Sequence, residues 1–305
     1  MSKKVLSPKT LSKELNNQIK KDDSNLETIQ ELINNGADIN YQDRNNMTAL
    51  VFAVMNNHIK IVKLLLERPD INVNIQNNFS MSALIVAASK ENNEIVKLLL
   101  GHPNINVNIQ DYLERTALIV AVSKENNETV KLLLENPNIN VDIKNEDGNT
   151  ALMMAAPKKN TEIINLLLEH PNININIQNK LGRTALMLTA TQGTTENLMN
   201  ILRKNPDTDI KNNDGNTALM MATKAKKYNI INILNKHERK LERRKKTLFV
   251  NEMTREYGFV MTPDTLKQLY EQLKKESPPN GGGKSHRKRK TGKADRTKKR
   301  RYRNK

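Results

Sequence analysis

Residues 82–108 read SALIVAASKENNEIVKLLLGHPNINVN, and the chain repeats this pattern at a nearly constant step. The clearest marker is a Thr-Ala-Leu or Ser-Ala-Leu triplet, separated by steps of 34, 34, 34, 34 and 33 residues, which begins at Thr48, Ser82, Thr116, Thr150, Thr184 and Thr217. Prolines keep nearly the same step, at Pro69, Pro103, Pro137, Pro171 and Pro206. A step of this size indicates small modules that cannot bury their apolar faces alone and must stack on their neighbours.

Each module contains two apolar runs and one polar arm. In the quoted stretch, Ser82 precedes the first run and is a typical helix N-cap, because its hydroxyl can accept a hydrogen bond from a first-turn amide. The second run, residues 95–100, is predicted to be a helix that ends before Pro103, since proline has no amide hydrogen. Asn then alternates with Ile or Val over residues 104–108, which predicts an extended hairpin arm. The expected unit is therefore helix, turn, helix and hairpin.

This unit resembles the ankyrin repeat, whose length is about 33 residues and whose first helix starts Thr-Pro-Leu-His. The resemblance covers roughly residues 5–236. The family's Pro is Ala throughout this chain, and its His is replaced by an apolar residue, at Val51, Ile85, Ile119, Met153, Met187 and Met220. The glycine that the family places before the Thr is kept at Gly148, Gly182 and Gly215, and is replaced by Asn46, Ser80 and Glu114. A positive φ is needed where the three glycines stand, and asparagine tolerates such a backbone better than Ser or Glu, so that the turns before Ser82 and Thr116 depart most from the family's pattern.

The fold class that follows is an all-α solenoid with short β-hairpin loops. We predict an N-terminal capping repeat over residues 1–45, with a polar first helix from Leu11 to Lys20, and six repeats over residues 46–236. A helical C-terminal cap is predicted over residues 237–276. It contains a helix from Leu241 to Tyr257 that Gly258 ends, and a second helix with one apolar face formed by Leu266, Leu269, Tyr270 and Leu273. Residues 277–305 are predicted to be a disordered basic tail.

Charge is concentrated near the C-terminus. Of the net charge of +17, residues 281–305 carry thirteen Lys or Arg against one Asp, and residues 236–246 carry seven against two acidic residues. Two clusters in the tail resemble a nuclear import signal that importin would bind, and such clusters also bind phosphate backbones without sequence preference. Their members are Arg287, Lys288, Arg289, Lys290, Lys298, Lys299, Arg300 and Arg301. Nuclear targeting, nucleic-acid contact and a solubilising role all remain open for the tail.

Catalytic motifs are absent from the sequence. There is no cysteine, the five histidines lie in different units without metal-ligand spacing, and no phosphate-binding loop or nucleophile elbow occurs. No apolar run is long enough to span a bilayer, and no signal peptide core or lipidation motif is present. We therefore expect a soluble intracellular monomer without catalytic site, cofactor or metal.

Partner-binding residues are predicted at two places. The resemblance implies that the first helices line a concave groove, and that the residue after the family's His points into it, at Phe52, Val86, Val120, Met154, Leu188 and Met221. The hairpin tips add apolar groups in loops, at Phe79, Tyr112, Leu113 and Leu181. Groove and tips would together bind an amphipathic helix or an extended segment of another protein. The alternative is that crowding between adjacent first helices hides most of the groove row.

Three classes of function remain, of which the third, an enzyme, has no motif in the sequence to support it. The first is a protein-binding adaptor with a basic tail for nuclear targeting, and the second is a nucleic-acid-associated protein whose array recruits a second factor. Abundant Asn, Ile and Lys make the chain similar in composition to the ankyrin proteins of large DNA viruses. The resemblance also implies that the arm asparagines fix the turn, at Asn40, Asn74, Asn108 and Asn176, where Asp142 and Asp209 depart from the pattern.

Overall fold

The computed structural model describes residues 6–21, 24–257 and 268. Over these ranges the regular secondary structure is helical, with no strand. Two helices precede the six repeats, and each repeat contributes two more. In chain order they are α1 (Pro8–Ile19), α2 (Leu26–Asn34), α3 (Ala49–Met55), α4 (Ile59–Leu66), α5 (Ala83–Ser89), α6 (Asn93–Leu100), α7 (Ala117–Lys124), α8 (Asn127–Leu134), α9 (Ala151–Ala155), α10 (Thr161–Glu169), α11 (Ala185–Gln192), α12 (Thr195–Arg203), α13 (Ala218–Lys224) and α14 (Tyr228–Tyr257).

Side-chain caps fix where the helices begin. Thr48 Oγ1 accepts a hydrogen bond from the amide of Val51 at 3.3 Å, and the corresponding hydroxyl caps each later first helix. Several second helices begin after an asparagine instead, as where Asn92 Oδ1 accepts from the amide of Ile95 at 3.0 Å. These bonds pair first-turn amides that the helix itself leaves without an acceptor. The predicted starts of the first helices in the six repeats are confirmed.

The helices stack in two parallel series. The first helices pack in the order α1, α3, α5, α7, α9, α11 and α13, and the second helices in the order α2, α4, α6, α8, α10 and α12. Both series bury leucine and isoleucine side chains at corresponding positions, as at Leu84 and Leu118 in the first helices and Leu99 and Leu133 in the second. The core is therefore a continuous apolar stripe along the array, which is the arrangement of a solenoid.

The arms between repeats form tight turns instead of strands. Asparagine side chains bond to the local backbone, as where the amide of Asn74 donates to Asn72 Oδ1 at 3.0 Å and the amide of Asn108 to Asn106 Oδ1 at 3.0 Å. Such local bonds compete with a ladder between strands. Within the described ranges, the pairing that remains is an isolated antiparallel bridge between Gln110 and Thr116.

The residue two positions before each Thr or Ser cap has a left-handed backbone, as predicted at the three glycines and also where Asn, Ser or Glu replaces them. The φ angles are 56°, 54° and 57° at Asn46, Ser80 and Glu114, and 79°, 70° and 77° at Gly148, Gly182 and Gly215. Asparagine tolerates this conformation better than Ser or Glu does. Three repeats therefore carry some backbone strain at this turn.

Two helix boundaries differ from the prediction. α1 begins at Pro8 and not at Leu11, because Ser7 caps it and proline is favoured in the first turn. α14 is continuous from Tyr228 to Tyr257 and does not start at Leu241, because neither proline nor glycine interrupts that stretch. The chain divides into two compact units, residues 1–240 and 241–305, and the repeats lie in the first. The finer domain boundaries read from the sequence stay predictions.

Candidate partner-binding surface

Apolar side chains are exposed at the tips of the loops that precede the first helices. Phe79, Tyr112 and Leu181 are 61%, 58% and 56% exposed, and Leu113 is half-buried. We call these four residues the tip row. The rings of Phe79 and Tyr112 lie on adjacent tips, with centroids 6.0 Å apart and planes inclined at 58°. This tilted arrangement is a favourable one for an aromatic pair.

Each tip is built around one Asn or Asp side chain. In the second repeat, Asn77 Oδ1 accepts from the amides of Phe79 and Met81 at 2.9 and 3.0 Å, and the amide of Asn77 donates to the carbonyl of Met81 at 3.1 Å. The corresponding residues that make the same bonds are Asp43, Asp111, Asn145, Asn179 and Asn212. The turn fixes the backbone of the tip and leaves the two side chains that follow the Asn or Asp, such as those of Asn78 and Phe79, pointing away from the core.

Backbone hydrogen bonds join neighbouring tips. The amide of Tyr112 donates to the carbonyl of Phe79 at 3.1 Å, and the amide of Glu146 donates to the carbonyl of Leu113 at 3.0 Å. Because these bonds set one tip against the next, the aromatic pair is held in place before any partner binds. Preorganisation of this kind lowers the entropy that association costs.

The groove row predicted from the first helices is largely buried. Phe52, Val86, Val120 and Met221 are 8%, 4%, 5% and 8% exposed, whereas Met154 and Leu188 are half-buried. The physical reason is that consecutive first helices pack directly against each other, so that each such side chain is covered by the neighbouring repeat.

A lysine from the N-terminal helix lies over the first member of this row. Lys20 Nζ is 4.1 Å from the centre of the Phe52 ring and 3.3 Å from Asp43 Oδ2. Burial raises the pKa of Asp43, but the amides of Met47 and Asn45 and the charge of Lys20 outweigh it, so that this pKa lies below its ordinary value. The N-terminal end of the groove is thus closed by a cation–π contact and an ion pair.

At the other end of the array, a pocket of about 370 Å³ opens between α11 and α13. Its polar lining includes Arg183, Asn216 and Lys224. Arg183 stands immediately before the Thr184 cap, Asn216 holds the same place in the next repeat, and Lys224 follows the Thr217 cap by seven residues. Met221, a member of the predicted groove row, follows the same cap by four residues and also lines the pocket. Residues four and seven after a cap lie on one side of a helix, so the pocket belongs to the face on which the groove row was predicted.

The family of the chain follows from comparison with known sequences. The family model described as "Ankyrin repeats (3 copies)" matches residues 19–111, 104–179 and 171–245. These matches span about three quarters of the chain. The chain belongs to the ankyrin repeat family.

Solved ankyrin structures resemble this one. The ankyrin repeat domain of Bcl-3, described as a unique member of the IkappaB protein family, shares 26% identity over 72% of this chain and 97% of its own, with a TM-score of 0.65. The ankyrin repeat protein EF0377 shares 26% identity over 61% and 96%, with a TM-score of 0.57. A chain in the complex of the predatory endopeptidase Bd0816 from Bdellovibrio bacteriovorus with the immunity protein Bd3460 shares 29% identity over 64% and 99%, with a TM-score of 0.53. No curated protein matches the sequence.

Several polar residues of the ankyrin array were not singled out as site residues by sequence reasoning. Arg183, Asn216 and Lys224 were missed because a polar residue in an apolar repeat resembles an ordinary solvated side chain. A signal was nevertheless present: Arg115 and Arg183 hold the same place in two repeats, but Asp111 precedes the first by four residues and Asn179 precedes the second. The difference predicts that one arginine has an internal carboxylate partner and that the other does not.

The eight basic residues assigned to nuclear targeting or nucleic-acid contact lie outside the described residues, as do Gly258 and the helix predicted around Leu266. In the part of the chain that is described, no group of three or more His, Cys, Asp or Glu side chains could hold a metal ion. None of the helices described there is both long and apolar enough to cross a membrane.

Proposed function

We propose that this ankyrin protein is a non-enzymatic adaptor that binds a protein partner through the tip row and the face of the first helices. The observation that carries the proposal is the exposed pair of Phe79 and Tyr112, held side by side at 6.0 Å by the backbone of adjacent tips. Large aromatic groups exposed on a rigid loop are typical anchors of protein interfaces.

The face of the first helices contributes in two ways to this proposal. Met154 and Leu188 are half-buried and can contact a ligand directly, and methionine adapts its shape to different partners. The four buried members of the row support the helices from beneath and do not need to touch the partner. A similar chain occurs in the complex of an endopeptidase with an immunity protein, which supports the use of such an array for binding proteins.

The test replaces Phe79 and Tyr112 together with serine in the full-length protein. Proteins captured from a cell extract by the wild type and by the double variant are quantified by mass spectrometry, and the affinity of each captured protein is then measured directly. We expect affinity to fall by at least about tenfold, because each residue is an exposed aromatic anchor. Tyr228→Ser is the matched control, since Tyr228 is 70% exposed but lies at the start of α14 and not on a tip.

Thermal unfolding of the three proteins should coincide, because neither ring belongs to the core. Equal capture by the double variant and the wild type would remove the tip row from the proposal. A loss that Tyr228→Ser reproduces would mean that the binding is non-specific adhesion to exposed aromatic groups.

We also propose, as a second function, that the basic tail contacts phosphate backbones or importin. The support is the charge of residues 281–305, which far exceeds that of the repeats. The eight basic residues of the two clusters would be replaced by glutamine. We expect salt-dependent retention on DNA or RNA, and nuclear accumulation of a fluorescent fusion, to fall while protein capture by the array is unchanged. Unaltered retention and location would contradict both roles.

The monomeric state and the similarity to ankyrin proteins of large DNA viruses stay predictions from the sequence.

A further inference from the structure

Two arginines at the same place in different repeats have opposite surroundings. Arg115 Nε and Nη2 donate to Asp111 Oδ2 at 2.9 and 2.7 Å. The charge of this guanidinium is therefore balanced by a carboxylate four residues earlier in the chain. At Arg183 the corresponding residue is Asn179, whose Oδ1 accepts only backbone amides and whose Nδ2 donates to Asn149. The sequence thus gives one arginine a carboxylate and the other an amide.

The Arg183 guanidinium consequently has no counter-ion among the residues that the structure describes. Its side chain is half-buried, and the Nε atom is buried and forms no hydrogen bond with any described residue. A buried donor without an acceptor is costly, more so when it carries charge. Because Nε is closed to solvent, an acceptor from outside can reach only the terminal Nη1 and Nη2 groups, which also have no acidic partner among the described residues.

Other donors converge on the same pocket. Lys224 Nζ donates to Asn216 Oδ1 at 2.8 Å and keeps two further hydrogens, while the Nδ2 group of Asn216 is a third donor. Asp214 is the acidic residue of the lining, and its Oδ2 accepts from Asn212 Nδ2 at 3.2 Å without an ion pair to either cation. Two cations therefore face one carboxylate, and the pocket keeps a net positive charge.

The rest of the lining is apolar enough to hold a short side chain. Met221 and Ala225 form part of the wall, and the volume of about 370 Å³ exceeds what one carboxylate on a short aliphatic stem occupies. A guanidinium binds a carboxylate through two parallel hydrogen bonds, which gives both strength and direction.

We propose that this pocket receives the carboxylate of a glutamate or aspartate in an acidic segment of the partner protein. The proposal rests on the adaptor function above and adds to it the charge of the partner. Arg183 makes the bidentate contact through its two terminal amino groups, Nη1 and Nη2, and Lys224 and Asn216 complete the set of donors.

The test uses the full-length protein and a library of random 12-residue peptides displayed on phage. Selection is carried out on the wild type, Arg183→Gln, Asn179→Asp and Lys180→Gln. Asn179→Asp keeps the arginine but supplies the internal carboxylate that Asp111 supplies to Arg115, and it should fold because Asp111 already occupies that place in another repeat. Lys180→Gln removes the same unit of charge from the same loop without altering the pocket lining.

We expect enrichment of Asp and Glu on the wild type and on Lys180→Gln, and its disappearance on Arg183→Gln and Asn179→Asp. For a selected peptide, changing the enriched Glu to Gln should weaken binding to the wild type by about tenfold and leave binding to Arg183→Gln nearly unchanged, measured by fluorescence anisotropy. Thermal unfolding of every variant checks that it is folded.

Four results would overturn the proposal. Equal acidic enrichment on all four proteins would place the site elsewhere. Peptides that show no acidic preference, and that bind the double serine variant of Phe79 and Tyr112 more weakly than the wild type, would remove the pocket and leave the adaptor function standing. Failure to select any peptide would count against both. Stabilisation of the wild type but not of Arg183→Gln by inorganic phosphate, without acidic peptides, would make the pocket a site for free anions.

Discussion

Three of the four arm asparagines join one repeat to the next through both ends of one amide group, whereas Asn176 accepts at Oδ1 from the amide of Asp207. Asn40, Asn74 and Asn108 each donate from Nδ2 to a carbonyl 30 residues later at 2.7 Å, and accept at Oδ1 from an amide 32 residues later at 2.8 to 2.9 Å. Asp142 only accepts, from the amide of Asn174 at 3.1 and 3.2 Å. Burial raises the pKa of Asp142, and the amide of Asn174 and the charge of His170 offset only part of that effect.

Asp142→Asn should therefore stabilise the array at neutral pH. The new amide can donate as well as accept, which adds about 1 kcal/mol and raises the unfolding midpoint by about 2–4 °C. Because the folded-state pKa of Asp142 lies above its ordinary value of 3.8, the wild type keeps its full stability below that pH and loses this contribution as pH rises through the folded-state pKa. The gap between variant and wild type should be widest near pH 7 and should shrink towards pH 4, as followed by circular dichroism.

Asp209→Asn provides the control, because Asp209 holds the same place in the last repeat, where no further arm follows. It should leave the midpoint within about 1 °C, since isolated surface substitutions have small effects. The prediction would be wrong if Asp142→Asn and the wild type had the same unfolding midpoint at pH 7, or if the difference between their midpoints grew on acidification. Either result would mean that the missing side-chain N–H donor does not weaken this arm.

Elements of the array differ in how far their sequence alone determines them. The first-helix starts of the six repeats and the left-handed turns at the three glycines were predictable because a Thr hydroxyl or a glycine acts within four residues of its own position. Burial of Phe52 and Val86 was not, because the covering side chains come from a helix about 34 residues away. The continuity of α14 was available in the sequence, since no Pro or Gly interrupts it, but the regular step of the preceding repeats favoured a break.

The stacking of tips can be tested with two glycines that share a backbone conformation. Gly148 and Gly215 have φ angles of +79° and +77°, but an added Cβ at Gly148 would lie 2.8 Å from the amide nitrogen of Lys180 on the next tip, whereas nothing lies within 4 Å at Gly215. Gly215→Ala therefore measures the cost of the positive φ alone, about 1–2 kcal/mol. Gly148→Ala should cost about 1–3 kcal/mol more, because the tips must also separate.

Equilibrium unfolding in urea measures both changes, and intact helical content in the absence of urea confirms that each variant folds. Equal losses from the two substitutions would mean that contact between neighbouring tips does not contribute to the stability of the array.

In the whole array, the stability of each repeat depends mainly on the repeats directly beside it. Leu133 and Leu15 are both fully buried, but Leu133 lies in α8, which packs between α6 and α10, whereas Leu15 lies in α1, which packs on α2 and α3. Replacing either by alanine should cost about 2–5 kcal/mol. In a linear array, each unit stabilises only the units next to it. Leu133→Ala should therefore lower the protection of amides around α7 and α8 and uncouple the repeats on either side. Leu15→Ala should instead unfold α1 and α2 and leave the later repeats protected. Hydrogen exchange measured by mass spectrometry distinguishes these two patterns. A uniform loss of protection along all repeats in both variants would contradict the prediction, because it would require one cooperative core. Contacts between consecutive helices alone do not provide such a core.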